Sequence, residues 1–287
     1  NWQGTNAEGV LLWGPSGTGL EAGPQNNIYS YNGTWNAITN TNTTELFDAN
    51  KNNAFLVFVT GPHGAANVIT PNANTPPDNA VATTLKPKGQ LITGPVTTPT
   101  LAASQFHLLA NPYASPINTA ALRTTNSSFT FWLLDPSLGS FGGYYTYNGT
   151  DWTPIAPNQN ADQPENLNIQ SGQGFFVRSE TETTFTFNES HKETGNSNTW
   201  FAKQSVQNTS ENKIRVLLDR QTNSQWQLVD GILSVSGSTY AHEVDAQDAL
   251  KVSNFNENIQ FRNGTSNLSI EYLKVVSPFA ETTSVTP

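Results

Sequence analysis

The chain has no cysteine, no methionine, few charges and no long apolar run. Without cysteine, disulfides are excluded. Charged residues make up only 12% of the 287 positions, about half the share usual in a globular chain. Thirteen Lys+Arg stand against 22 Asp+Glu, a net charge of −9. No basic cluster exists to displace counterions from a phosphate backbone, so nucleic acid is excluded as a partner. No apolar stretch approaches the length of a spanning helix, so no membrane span is expected. The start, Asn1-Trp2-Gln3-Gly4, has neither an initiator Met nor a basic leader, and reads as a fragment or as a chain whose leader has been removed.

What is present is neutral polarity and aromatic carbon. There are 34 Asn and 36 Thr, beside 7 Trp, 8 Tyr and 15 Phe. The aromatics supply apolar surface to bury, so the chain folds rather than remaining disordered, and its length suits two or three domains. Asn- and Thr-rich, charge-poor composition without cysteine fits secretion by a bacterium that does not rely on disulfides. Asn-x-Ser/Thr sequons occur at Asn32, Asn42, Asn126, Asn148, Asn188, Asn208, Asn263 and Asn267, most of them expected from composition alone.

Strand signals dominate. Residues 54–59, 129–134, 174–177, 184–187 and 213–218 are short, β-branched or aromatic, and bounded by Gly, Pro, Asn or Asp. Apolar and polar residues alternate through 184–187 and 225–229, which predicts strands with one wet face in mainly antiparallel sheets. The one helical candidate, 115–122, has Ser115 as N-cap, Pro116 in the first helical position, and room for about two turns.

An internal repeat organises the chain. Tyr29-Ser30-Tyr31-Asn32-Gly33-Thr34-Trp35 recurs as Tyr145-Thr146-Tyr147-Asn148-Gly149-Thr150-Asp151-Trp152, displaced by 116 positions at the Asn-Gly. Each copy predicts a hairpin, because Asn-Gly accepts positive φ at both central positions of a type I′ turn and the flanking Tyr and Trp pair across the strands. Upstream, Leu12-Trp13-Gly14-Pro15-Ser16 faces Trp132-Leu133-Leu134-Asp135-Pro136-Ser137; downstream, Phe55-Leu56-Val57-Phe58-Val59 faces Phe175-Phe176-Val177-Arg178. The fold expected is all-β, as tandem antiparallel β-sandwich domains of the jelly-roll or Ig-like kind. Their limits are 1–100, with an incomplete start, 101–195 and 196–287.

Three phrases add a family resemblance. Residues 82–94, Phe106-His107-Leu108-Leu109-Ala110-Asn111-Pro112-Tyr113-Ala114-Ser115-Pro116-Ile117, and Ile169-Gln170-Ser171-Gly172-Gln173-Gly174-Phe175-Phe176-Val177 resemble phrases that precede the sorting domain of large Bacteroidetes surface proteins. Those proteins are cargo of the type IX secretion system. Residues 213–270 are similar to the β-domain that follows in them, and the likeness runs over residues 55–275. The resemblance implies export to the cell surface, not an activity. The sorting domain itself is missing before the last residue, Pro287.

No catalytic constellation assembles. His63, His107, His191 and His242 are scattered without zinc-binding spacing and read as structural or surface residues. Gly14-Pro15-Ser16-Gly17-Thr18-Gly19 lacks the lysine of a phosphate loop and the spacing of a nucleophile elbow. No paired carboxylates present themselves, so no catalytic or cofactor-binding residue is named and the chain is expected not to be an enzyme. Asp245 and Asp248, in the acidic run 242–248, are the weak metal candidates, for calcium. The competing readings there are a solvated loop or an Asp248–Lys251 ion pair. Tyr31, Trp35, Tyr147 and Trp152 are the ligand-binding candidates, since aromatic faces beside Asn and Thr suit a glycan, with cross-strand packing as the competing reading.

The expected function is that of a non-enzymatic extracellular module at the bacterial cell surface, an adhesin or surface-fibre subunit. Its partners would be neighbouring copies or modules of the same surface protein. The alternative is a carbohydrate-binding module of a secreted polysaccharide-degrading protein, and a hydrolase on a β-sandwich comes third.

Overall fold

The computed structural model describes residues 26–40, 54–58, 91–135, 138–139, 142–154, 168–193, 212–222 and 224–275, and the backbone of three more short strands. Strands make up 49% of the described residues against one short helix, so the protein is all-β. His63, residues 15–19, 82–90 and 194–198 lie outside the described residues.

In the first part, β1 (Trp13–Gly14) pairs parallel with β2 (Glu21–Ala22). A three-stranded antiparallel sheet follows, made of β3 (Ile28–Tyr31), β4 (Trp35–Ala37) and β5 (Leu56–Val57) in the order β4-β3-β5. The central part contains β6 (Val96–Thr97), β7 (His107–Ala110), β8 (Ile117–Asn118), helix α1 (Thr119–Thr125) and β9 (Phe129–Asp135). It continues with β10 (Gly143–Tyr147), β11 (Trp152–Thr153), β12 (Asn168–Ile169), β13 (Gly174–Ser179) and β14 (Thr186–Phe187). Five of these strands form an antiparallel sheet in the order β11-β10-β9-β13-β7.

That sheet is buried on both faces, and the run 129–134, interrupted only by Thr130, is consistent with a strand so covered. Phe129, Phe131, Leu133, Tyr145, Tyr147, Phe175 and Val177 point to one face, beneath α1 and the small pairs β12-β8 and β14-β6. Trp132, Tyr144 and Phe176, one residue out of phase, point to the other. There they meet Tyr31 and Trp35 from the first part and Leu250 and Val252 from the third. Pairing of β6 with β14, and of Leu101 with Thr183, joins the chain from Leu91 onward to the central part. The limit expected at 100 therefore falls inside a paired segment.

The last part comprises β15 (Asn212–Thr222), β16 (Gln225–Gly237), β17 (Ala249–Leu250), β18 (Gln260–Asn263), β19 (Ser266–Lys274) and β20 (Val285–Thr286). Five run in the order β15-β16-β19-β18-β20, and β17 pairs with β19. The pairing of β16 with β19 is parallel in an otherwise antiparallel sheet.

Both repeated segments are hairpins, with Tyr31 opposite Trp35 and Tyr147 opposite Trp152. Their turns are not the expected type I′. The loops hold three and four residues, and only Gly33 (φ 97°) and Gly149 (φ 101°) are left-handed, not the Asn before them. In the second loop Asn148 Oδ1 instead accepts from the N–H groups of Thr150 and Asp151, at 3.0 and 2.8 Å. Such an Asx turn needs no positive φ at Asn. The aligned flanks diverge as well. In the second copy β9 lies between β10 and β13, whereas in the first β5 pairs directly with β3.

The helix begins later than its Ser-Pro signal. Asn118, not Ser115, is the N-cap, its side chain accepting from Ala121 N at 2.8 Å. Tertiary pairing overrides the local signal, because Ile117 pairs with Ile169 and the Pro116 carbonyl accepts from Glu193 N at 2.9 Å. The Asn-Pro-Tyr phrase is a folding device in its own right. Buried Asn111 donates to the carbonyls of Ser115 and Ile169 at 2.8 and 3.0 Å and accepts from Tyr113 N at 3.0 Å. The Tyr113 hydroxyl donates to Gly94 O at 2.7 Å.

Candidate functional site

The four aromatic candidates fall in two places. Tyr147 and Trp152 are 4% and 3% exposed and stack on each other, with centroids 4.2 Å apart and planes at 8°. They fill the central core and offer no open face to a sugar. Tyr31 and Trp35 are half-buried and meet Phe176 edge-on at 4.7 and 5.7 Å, where the first hairpin lies on the central sheet. One residue of loop length separates the two fates. The extra Asp151 allows Tyr147 and Trp152 to stack, while Tyr31 and Trp35 meet edge-on at 68°.

That extra residue is also the centre of a polar junction between the central and last parts. Asp151 is 2% exposed. It accepts from Lys213 Nζ at 2.9 Å on one oxygen and from the Tyr272 hydroxyl on the other. Arg215 Nη1 donates to Trp152 O at 2.6 Å, and Asn148 Nδ2 to Gln247 O at 2.7 Å. Burial, followed by the neighbouring Asp151, raises the Tyr272 phenol above its usual range, so the hydroxyl remains a donor. Further along the interface Trp132 Nε1 donates to Leu250 O at 3.0 Å, and Tyr144 N to Asn254 Oδ1 at 2.9 Å.

The backbones approach closely here. A Cβ on Gly231 of β16 would lie 2.8 Å from Pro154 Cβ and 2.9 Å from Leu217 Cδ2. Gly231→Ala is therefore expected to lower unfolding free energy by about 1–3 kcal/mol through overpacking. Urea unfolding measures it, and an unchanged midpoint would show that the interface opens freely.

Lys251 does not pair with Asp248 as the sequence spacing suggested. Its ammonium lies 2.5 and 2.6 Å from the two oxygens of Asp230. Asp230 also accepts from Gly231 N at 2.8 Å and Ile259 N at 2.7 Å, and both charged residues are almost wholly buried. Desolvation lowers the Lys251 pKa, and the Asp230 charge opposes that shift.

The metal candidates are committed to backbone donors. Asp248 accepts from Tyr272 N at 2.7 Å and Asp245 N at 2.8 Å, while Asp245 accepts from Gln247 N at 2.8 Å. Among the described residues no three His, Asp or Glu side chains gather into a metal-binding group. Burial pushes the Asp248 carboxyl up to about 6 from 3.8, partly countered by the two N–H donors. Between those values the native state holds a proton that the unfolded chain has released, so stability falls as pH rises through that window. We expect the stability difference between wild type and Asp248→Asn to grow by about 1–2 kcal/mol from pH 7 down to pH 4. Urea titrations across that range check it, and a constant difference would contradict it.

Of the described histidines, His191 is part of the core. His191 is 2% exposed. Its Nδ1 accepts from Asn188 N at 3.1 Å, leaving the Nε2 proton for Thr125 Oγ1 at 2.8 Å. Burial lowers its pKa. His107 lies 3.0 Å from Ala102 O, and the His242 carbonyl accepts from Asn263 Nδ2 at 2.9 Å.

Sequence reasoning passed over one aromatic. Trp226, on β16 beside the β15–β16 turn, is 69% exposed, whereas Trp132 and Trp152 are buried. The alternation through 225–229 sets Trp226 on the apolar face with Leu228, and the structure instead leaves it exposed at the hairpin end.

A family profile matches residues 18–280 of the chain, far more than half of it. The chain belongs to the DUF8693 family, described as a domain of unknown function. The DUF8693 match takes in the aromatic face, the Asp151 junction and the Trp226 hairpin together. No curated protein and no solved structure matches the chain. Among the described residues no helix is long and apolar enough to cross a membrane.

Proposed function

We propose that this DUF8693 chain is a non-enzymatic extracellular module of a bacterial surface protein, an adhesin or a subunit of a surface fibre, built from tandem antiparallel β-sandwiches. One observation carries the reading, namely the use made of three buried carboxylates. Asp151, Asp230 and Asp248 each have both carboxylate oxygens occupied by ammonium, hydroxyl or backbone N–H donors that tie strands together. A general acid or base needs an oxygen aimed at substrate; these are spent on cohesion. Export to the surface is supported by the phrases that resemble those of secreted surface proteins.

Deleting the gene in the encoding organism is expected to reduce attachment of cells to a surface or to one another, with restoration by the intact gene. Unchanged attachment and unchanged surface fibres would contradict the reading. A second reading, a carbohydrate-binding module, is favoured by one observation, the outward placement of Trp226.

A further inference from the structure

We infer that the tip of the β15–β16 hairpin is a glycan-binding site, where the Trp226 ring stacks on the apolar face of a neutral sugar and the Gln221 amide bonds its hydroxyls. The inference rests on the carbohydrate-binding reading and names its site. Trp226 stands directly opposite Gln221 in the strand register, so the two side chains share a face of the hairpin. Both are exposed. A tryptophan left at 69% exposure holds a large apolar ring face open to a ligand.

The hairpin is held in place on both sides. Arg220, next to Gln221, is ion-paired with Glu257. Gln227, next to Trp226, donates from Nε2 to Gly139 O at 2.9 Å, and Gly139 N donates to Leu228 O at 3.2 Å. A register shift leaves Val229 as an extra residue between partners of Leu218 and Asp219, a bulge that increases the local twist of the hairpin. Ser224 takes φ 64° in the turn itself. The platform is therefore preorganised, which cuts the ordering cost of binding.

The chemistry of the tip selects the ligand class. Gln221, Thr222, Ser224 and Gln225 carry no charge and offer amide and hydroxyl groups that both donate and accept, as vicinal sugar hydroxyls do. No Lys or Arg on the tip rewards an anionic polymer, and the net charge of −9 repels one. A second exposed aromatic, Phe255 at 46%, sits on the loop that carries Glu257, the residue bonded to this hairpin.

The test is affinity electrophoresis of the purified chain through gels containing laminarin, mannan, xyloglucan or starch, with alginate as the anionic comparison. At least one neutral polysaccharide is expected to retard the wild type, and Trp226→Ala to weaken that affinity about tenfold or more. Trp226→Phe should retain part of it. The melting temperature of Trp226→Ala should stay unchanged, since the ring is exposed. Equal retardation of wild type and Trp226→Ala would overturn this site and leave the carbohydrate-binding reading standing. Retardation by alginate alone would overturn the ligand class. No retardation by any polysaccharide would overturn both the site and that reading.

Discussion

Asp230→Ala is expected to lower unfolding free energy by about 3–5 kcal/mol, the largest effect of any single charge removal in the chain. Asp230 is 0% exposed and its partner Lys251 has a side chain 2% exposed, so the mutation strands an ammonium that water cannot reach. Two backbone donors, Gly231 N and Ile259 N, lose their acceptor at the same time. Lys251→Met is expected to do less damage, because the carboxylate keeps both N–H donors. Asp230→Leu combined with Lys251→Met should recover part of the loss, leaving the cost of the two unpaired N–H groups. Urea unfolding at pH 7 separates these outcomes. A loss under about 1 kcal/mol for Asp230→Ala would mean that the site admits water.

Trp132→Ala should cost about 3–5 kcal/mol as well, for a different reason. Trp132 is 1% exposed and lies on the face of the central sheet where all three parts of the chain meet. It touches Phe106 edge-on at 4.9 Å, and its Nε1 holds Leu250 O. Truncation leaves a cavity with Leu250 O unpaired. Trp132→Phe keeps most of the packing and loses the hydrogen bond, so its effect should fall to about 1–2 kcal/mol. Equal losses for the two variants would assign the whole effect to the N–H group.

The sequence made the strands legible wherever local patterning and burial agree. Residues 129–134 read as a strand, and they form one, although the sheet they belong to is covered on both faces rather than wet on one. The Tyr-Asn-Gly-Thr repeat reads as two hairpins, and both form. What failed were features decided by distant contacts. Ser115-Pro116 signals a helix start, yet Ile117 pairs with Ile169 first. Asp248 stands three residues before Lys251, yet the lysine reaches Asp230, which is distant in sequence. Tyr147 and Trp152 looked like a glycan platform because nothing in their spacing shows that α1 and its neighbours cover them. Trp226 sits in the alternating run 225–229, whose pattern assigns it to the covered face, but at the hairpin end no other layer covers that face.

The central claim is that the buried carboxylate of Asp151 serves cohesion, binding the central and last parts through Lys213 and Tyr272. The most direct test follows urea unfolding of Asp151→Asn and wild type by tryptophan fluorescence and far-UV circular dichroism together. The wild type should show one transition with coincident midpoints in both signals. The variant should show two separated transitions, as the last part loosens first. A wild type with two separate transitions, or a variant indistinguishable from it, would contradict the claim.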